Sequence, residues 1–466
     1  VDGKVGAFFE ELRGKRVWFV GIGVSHRQTI ELFARRGVLV TACDKRERSA
    51  LGHELCAHLE SLGVRLLLGQ DYPADFAPAQ VLFRTPGMYY NQPALQHYRT
   101  HGGVLTSEME VFCGLCPCPL TAVTGSDGKT TTTALIAEML AAQGFRTHLG
   151  GNIGKALLPA LPELQPADRA VVELSSFQLI SMRCAPKVAV VTNVTPNHLD
   201  VHGGMEEYTE TKRNLLAHQD AFSATVLNAD NPATASFVPQ VRGQCLLFSM
   251  EGPVENGAFY STRDSGVYTA AHGQKPKKLM DAADIRIPGL HNVANYLAAI
   301  CAVRGAVDDD VIRGAAASFS GVEHRIELVR ELDGVCWYND SIATSPTRAI
   351  AGLNAFDRRI IMLAGGYDKK IPFEPLAPVV SERVKVLILC GATAGKIQAV
   401  VQADPAFDHK KTEIIQVEDL PEAVRTARGL SRPGDIISLS PACASFDKYP
   451  NFEARGRHFK ELVNAL

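Results

Sequence analysis

Leu120-Thr-Ala-Val-Thr-Gly-Ser-Asp-Gly-Lys-Thr-Thr-Thr-Thr-Ala-Leu135 contains a strand, a turn and a helix start in sixteen residues. Leu120 to Thr124 is a short β-type run. Gly125 and Gly128 punctuate a turn, and Ala134, Leu135, Ile136, Met139 and Leu140 then follow helical spacing. Glycine lets the backbone turn tightly, so main-chain N–H groups and a helix N-terminus converge on an anion. Lys129 adds a point charge for outer phosphates, and the Thr130 hydroxyl suits Mg²⁺. The stretch reads as a phosphate loop, with Gly125, Ser126, Asp127, Gly128, Lys129, Thr130 and Thr131 forming the nucleotide cradle. It departs from the strict G-x-x-x-x-G-K-[ST] pattern, because Val123 stands where the first glycine belongs. A nucleoside triphosphate is the first substrate to expect.

The bulk numbers suit a soluble enzyme. A length of 466 residues predicts about three domains at ~150 residues each. Hydrophobic residues at 46% and charged ones at 21% are ordinary for a globular chain, and a net charge of −2 argues against nucleic acid or an anionic membrane as partner. No apolar run approaches the ~20 residues of a membrane-spanning helix. Asp2, Glu10 and Glu11 do not fit the basic-then-apolar layout of a secretory signal. A cytoplasmic, monomeric protein without membrane insertion is expected. The 11 cysteines include Cys113-Gly-Leu-Cys116, but there is no second C-x-x-C to complete a zinc site, so free thiols are expected.

Outward from the loop the chain alternates strand and helix, which predicts an α/β protein of three tandem α/β domains. Residues 1–110 form a Rossmann-like N-terminal domain: strand Lys15–Val20, turn Gly21-Ile-Gly23, helix Gln28–Arg36, strand Val38–Cys43, then Asp44. His26 occupies the third glycine position of the dinucleotide fingerprint, so the pattern names no particular ligand. Residues 111–322 form a P-loop ATPase-like central domain with buried strands Ala170–Glu173 and Lys187–Thr192. Residues 323–466 form a Rossmann-like C-terminal domain with strands Val335–Asn339, Arg359–Leu363, Val384–Cys390, Thr412–Val417 and Asp435–Leu439.

Phosphoryl transfer needs a metal beside the loop, and a neighbouring strand end should supply the acid. Glu173 fits that place. Asn193-Val-Thr-Pro-Asn-His-Leu-Asp200 follows another strand and brings His198 and Asp200 to an edge where open α/β sheets bind ligands.

Together, Thr124-Gly-Ser-Asp-Gly-Lys-Thr-Thr-Thr132, Glu173-Leu-Ser-Ser-Phe-Gln178, Asn193 to Asp200, His291-Asn-Val-Ala-Asn295 and Glu323-His-Arg325 resemble the Mur ligases. These are ATP-dependent amide-forming ligases of peptidoglycan precursor assembly. Gly365-Gly-Tyr-Asp-Lys-Lys370 and Ser440-Pro-Ala-Cys-Ala-Ser-Phe-Asp447 are most similar to the D-glutamate-adding branch. The resemblance implies that ATP phosphorylates the carboxylate of UDP-N-acetylmuramoyl-L-alanine and that D-glutamate displaces phosphate from the acyl phosphate.

It also implies residue roles. Lys129, Glu173, His198 and Lys212 are the expected catalytic set. Thr130, Glu173, His198 and Lys212 are expected to hold two Mg²⁺ ions, Lys212 after conversion to an N-carbamate by CO₂. Asn292, Asn295, Arg325 and Asp340 are assigned to ATP, with Asn295 on the adenine and Asp340 on the ribose. Val24, Ser25, Asp44, Lys45, Arg46, Asn152 and His198 are assigned to the UDP-sugar, and Gly150-Gly-Asn-Ile-Gly154 permits close backbone approach. Thr344, Lys369, Ser445 and Phe452 are assigned to D-glutamate. The family pattern places a lysine after Asp340-Ser341 where this chain has Ile342, with Lys370 or Arg348 as substitutes.

The alternatives are another amino-acid-adding Mur ligase, folylpolyglutamate synthase, or a nucleotide-switched binding protein. The Asp-Asn-Pro-type motif that diaminopimelate- or lysine-adding members carry in their last domain is absent from residues 323–466, and the Asn-Lys-x-Asp of GTP readers is absent from the chain. The ~100 α/β residues before the phosphate loop argue against folylpolyglutamate synthase.

Overall fold

The computed structural model describes residues 2–153, 156–196, 202–369 and 371–466, with the backbone alone for Asp2, Val24 and Ser25. The fold is α/β and carries three sheets. The chain divides into two compact units, Val1–Asp284 with Val293–Ala317, and Ile285–Asn292 with Ser318–Leu466.

The first unit holds two sheets. The five-stranded one comprises β1 (Arg16–Val20), β2 (Leu39–Asp44), β3 (Arg65–Leu68), β4 (Val81–Arg84) and β5 (Val104–Thr106), in the order β3-β2-β1-β4-β5. Every pairing in it is parallel. Both faces are covered: Val17 and Phe19 of β1 enter one apolar cluster, Trp18 and Val20 another. The helix after β1 begins at Val24, earlier than the apolar spacing from Gln28 predicts. His26 on that helix is buried, with its Nδ1 2.9 Å from the Gly21 carbonyl oxygen, and burial pushes its pKa down to about 4. At the position of the missing fingerprint glycine a neutral imidazole fills the core.

The second sheet comprises β6 (Leu120–Thr124), β7 (Thr147–Gly151), β8 (Arg169–Glu173), β9 (Val188–Val191), β10 (Ala224–Asn228), β11 (Gln244–Ser249), β12 (Gly257–Ser261), β13 (Gly266–Ala270) and β14 (Lys277–Asp281). Its order is β14-β13-β12-β11-β10-β9-β6-β8-β7. β6 lies between β9 and β8, parallel to both, so the residues after all three strands meet at one sheet edge. β12 pairs parallel with β11, and β13 and β14 then extend the sheet through antiparallel pairings.

The second unit holds β15 (Glu327–Leu332), β16 (Val335–Asn339), β17 (Ile360–Ala364), β18 (Val384–Leu389), β19 (Glu413–Gln416) and β20 (Ile436–Leu439), in the order β15-β16-β20-β17-β18-β19. β15 is antiparallel to β16, and the other pairings are parallel. In β17, Ile360, Met362 and Ala364 join one core cluster and Ile361 and Leu363 the other, as the period-two alternation of a sheet covered on both faces requires.

Candidate active site

In the first unit β6 runs into Gly125, and the helix Lys129–Ala142 starts after Gly128, which is left-handed at φ 76°. A side chain on Gly128 would strike the Asn295 Oδ1 atom, and one on Gly125, at φ 152°, would strike the Thr192 hydroxyl. Glycine is required at both. Asn193 braces the turn: its Oδ1 accepts from the main-chain N–H groups of Ser126 (3.1 Å) and Asp127 (2.9 Å), and its Nδ2 donates to the Asp127 carbonyl at 3.2 Å. The anion-facing donors are therefore the first-turn N–H groups of the helix, where the dipole favours negative charge. Lys129 Nζ donates to the Ser126 carbonyl at 2.9 Å, which folds the ammonium over the loop.

The loop meets the end of β8. Thr130 Oγ1 donates to Glu173 Oε2 at 2.7 Å, and Asn152 Nδ2 donates to Glu173 Oε1 at 2.7 Å. Immediately afterwards Ser175 and Gln178 form a capping box on the helix Ser176–Leu179, which fixes where the strand stops. A hydroxyl and a carboxylate side by side are the hard oxygen donors Mg²⁺ takes when phosphates and water complete its shell. Among the described residues no three His, Cys, Asp or Glu side chains converge.

Lys212, on the helix Met205–Ala217, is buried and donates to the Gly125 carbonyl at 2.7 Å. Burial and the nearby Lys129 push its pKa well below the ordinary lysine value, against the pull of Asp127 and Glu173. Tyr208, one turn earlier, lies under the ammonium at 4.6 Å and contacts Ser126 Oγ at 3.1 Å. The helix thus carries the buried Lys212 amine and a loop brace on one face. Asn295 Oδ1 accepts from Thr132 Oγ1 at 3.4 Å, beside the loop. His198 and Asp200 lie outside the described residues, as do Gly154, Lys155 and Lys370, and so do the side chains of Val24 and Ser25.

A pocket of about 380 Å³ opens in the same unit between the ends of β1 and β4 and the Gly151–Asn152 turn. Open parallel sheets bind ligands at such strand-order reversals. Asp44 accepts from the Ile22 N–H at 2.8 Å and pairs with Arg46 at 2.7 Å. Against burial, these bonds hold its carboxyl at about 2. Lys45 Nζ sits 5.6 Å from the Tyr72 ring centre. Arg84, which sequence reasoning missed, lines the pocket and is buried. It donates to the Phe177 carbonyl at 2.6 Å and Ser181 Oγ at 2.8 Å, and so ties β4 to the segment after Glu173.

In the second unit Asp340 follows β16 and is buried. Ser440 Oγ donates to its Oδ2 at 3.0 Å, and the Ile326 N–H donates to Oδ1 at 3.3 Å. Burial raises its pKa to about 7, although Arg325 and Arg348 oppose the shift. Lys369 Nζ donates to the Thr344 carbonyl at 3.2 Å, which brings two residues assigned to D-glutamate together. Burial, then Arg348 and Arg455, lower the Lys369 pKa. The motifs at Gly365 and Ser440 become neighbours through the Tyr367–Ala444 bridge. Ser445 Oγ is buried and has no hydrogen-bond partner among the described residues. Phe452 packs edge-on to His324, and its carbonyl accepts from Ser341 Oγ at 2.8 Å. Arg348 Nη1 reaches the Ile342 carbonyl at 3.3 Å. Asn292 donates to the Pro288 carbonyl at 2.6 Å.

Comparison with known proteins decides the family. The Mur ligase middle-domain model matches residues 123–303, and the Mur ligase glutamate-ligase-domain model matches residues 324–443. The chain belongs to the Mur ligase family. It is 47% identical over 465 residues to the UDP-N-acetylmuramoylalanine–D-glutamate ligase of Acetivibrio thermocellus, covering 99% of each chain. It is 45% identical over 459 residues to the ligase of the same name from Clostridium acetobutylicum, covering 98% of each. Among solved structures, the UDP-N-acetylmuramate–alanine ligase of Thermotoga maritima aligns with a TM-score of 0.58 at 18% identity, over 97% of this chain and 99% of that one. A UDP-N-acetylmuramoyl-L-alanyl-D-glutamate–2,6-diaminopimelate ligase aligns at 0.55 and 17%, over 93% of each. The Mur ligase fold thus extends across both units.

Proposed function

We propose that this Mur ligase joins D-glutamate to UDP-N-acetylmuramoyl-L-alanine in peptidoglycan precursor synthesis, with hydrolysis of ATP to ADP and phosphate. The observation that carries the reading is identity of 45–47% across almost the whole chain to ligases of that name. A carboxylate oxygen of the UDP substrate attacks the γ-phosphorus, ADP leaves, and an acyl phosphate forms. The free amine of D-glutamate attacks the acyl carbon, and the tetrahedral intermediate expels phosphate and leaves an amide. Both steps need positioning and charge neutralisation more than a nucleophilic side chain.

Lys129 and the first-turn N–H groups of its helix take the outer phosphates. Thr130 and Glu173 offer the oxygen donors for Mg²⁺, which when bound neutralises charge on the phosphates. We assign Lys212 as a carbamate, a second anionic oxygen donor. Its buried, proton-poor amine supports this, because only neutral nitrogen attacks CO₂. Asp340 is assigned to the ribose hydroxyls. Lys369, Thr344 and the unpartnered hydroxyl of Ser445 are assigned to the two carboxylates of D-glutamate. Asn152, at the wall of the 380 Å³ pocket, is assigned to the UDP substrate. The reading carries with it a cytoplasmic, monomeric enzyme.

The test is phosphate release with ATP, UDP-N-acetylmuramoyl-L-alanine and one amino acid at a time. D-Glutamate is expected to be turned over fastest. Faster turnover with L-glutamate, L-lysine or L-alanine overturns the substrate assignment.

A further inference from the structure

Outside this site, the described residues bring two thiols together at the entrance to β6. The helix Glu108–Leu115 ends at Cys116, whose extended backbone (φ −55°, ψ 122°) leaves the helical path. Pro117 cannot continue the helix, and Cys118 with Pro119 leads into β6. The Cys116 and Cys118 sulfurs lie 3.6 Å apart across that single proline, and both cysteines are free. A disulfide needs about 2.0 Å, so the remaining gap is on the order of 1.6 Å.

The pair is asymmetric. Cys118 is buried at 7% exposure, whereas Cys116 is partly open to solvent. Either sulfur can be the donor in their contact, which lowers the Cys116 pKa, with Lys4 adding in the same direction. Cys118 is pushed the other way by the same contact, by burial and by the nearby Asp168, itself 2.8 Å from His148. A more acidic, accessible thiol with a buried partner is the arrangement that thiol–disulfide exchange requires. Zinc does not fit, because no three potential ligands converge among the described residues.

We propose that Cys116 and Cys118 form a thiol–disulfide exchange site, Cys116 attacking and Cys118 resolving, with a low-molecular-weight disulfide as oxidant. The Cys116 thiolate attacks one sulfur of the small disulfide, whose S–S bond breaks and releases one thiolate. Cys118 then loses its proton to solvent and attacks Cys116 Sγ, which expels the second small thiolate. Two electrons pass from the protein dithiol to the small disulfide, which leaves as two thiols. The ring so formed encloses Pro117, immediately before the strand that bears the phosphate loop. This chemistry is separate from the ligase reading and survives its failure.

The experiment exposes the full-length protein to oxidised glutathione, quenches with acid and maps each cysteine by peptide mass spectrometry. The wild-type protein is expected to lose two hydrogens across Cys116 and Cys118 and to retain no glutathione there. Cys118→Ser, or Cys118→Ala if the serine does not fold, is expected to trap one glutathione on Cys116. Cys116→Ser is expected to leave Cys118 unmodified. Stable glutathione on wild-type Cys116, a bond from Cys116 to Cys113 instead, or equal reactivity at the partly exposed Cys336 and Cys390 overturns the proposal.

Discussion

Thr130 Oγ1 donates to Glu173 Oε2 at 2.7 Å, so the hydroxyl that opens the phosphate-loop helix and the acid that ends β8 face each other directly. Glu173→Gln keeps the shape but removes the charge. It is expected to lower turnover by roughly 100- to 1,000-fold, the range typical for one lost electrostatic contact, and to raise the Mg²⁺ concentration needed for half-maximal activity. Steady-state phosphate release across a Mg²⁺ series checks this, and an unchanged Mg²⁺ requirement would remove Glu173 from the metal.

Lys129→Ala takes the positive charge from the loop and leaves the lining of the 380 Å³ pocket untouched. Phosphate release should fall by at least about 100-fold, with calorimetric affinity for the UDP substrate within about threefold of wild type. Near-normal turnover would contradict the assignment of this loop to ATP.

Asp340 predicts a pH effect of definite sign. Its carboxyl titrates at 3.8 in the unfolded chain and at about 7 when folded, because burial disfavours the charge. The folded protein holds the extra proton between those values. The associated stability is fully present below about pH 4 and is lost as pH rises through 7, by up to about 4 kcal/mol at ~1.36 kcal/mol per unit. Asp340→Asn should therefore flatten the pH dependence of urea unfolding between pH 5 and 8. In the wild-type enzyme the KM for ATP should rise as pH falls below 7, because the protonated acid accepts ribose hydroxyls poorly.

Ser445 offers a separation of stability from function. Its buried hydroxyl has no partner among the described residues, so Ser445→Ala should leave stability unchanged or raise it by about 1 kcal/mol. The KM for D-glutamate should rise roughly tenfold, since a charge-assisted hydrogen bond contributes about 1.5 kcal/mol or more. An unaltered KM would take Ser445 out of the amino-acid site.

Lys212 is expected to carry a carbamate in the active enzyme. Lys212→Ala should be nearly inactive and partly rescued by a small carboxylate. ¹³C NMR of enzyme in labelled bicarbonate should show a carbamate signal that the variant lacks. A bare amine in enzyme that turns over would refute the assignment.

The phosphate loop was legible because its glycines, lysine and threonine sit together in sequence, and β8, β9, β16, β17 and β18 because doubly covered strands are continuous apolar runs. β15 escaped because Glu327, Arg330 and Glu331 break the apolar pattern of an edge strand. The antiparallel strand β14 escaped for the same reason, with Lys277, Lys278 and Asp281 on it, whereas β13 is a five-residue run, Gly266-Val-Tyr-Thr-Ala270, that opens on a glycine. Asn193 was visible as part of a motif, but its brace on Ser126 and Asp127 depends on β9 lying beside β6. Arg84 donates locally to the Met88 carbonyl, but the acceptors that tie it to the site, Phe177 and Ser181, lie 93 and 97 residues away.

The bond from Lys212 to Gly125 spans 87 residues. A ribosome adds ~5–20 residues per second, so on the order of 4–17 s separates synthesis of the loop from synthesis of its lysine. Through that interval the nascent chain carries a glycine turn whose carbonyl still awaits its donor. A chain truncated before the helix Met205–Ala217 lacks that donor, and its phosphate loop is expected to hold ATP more weakly than that of the full-length protein.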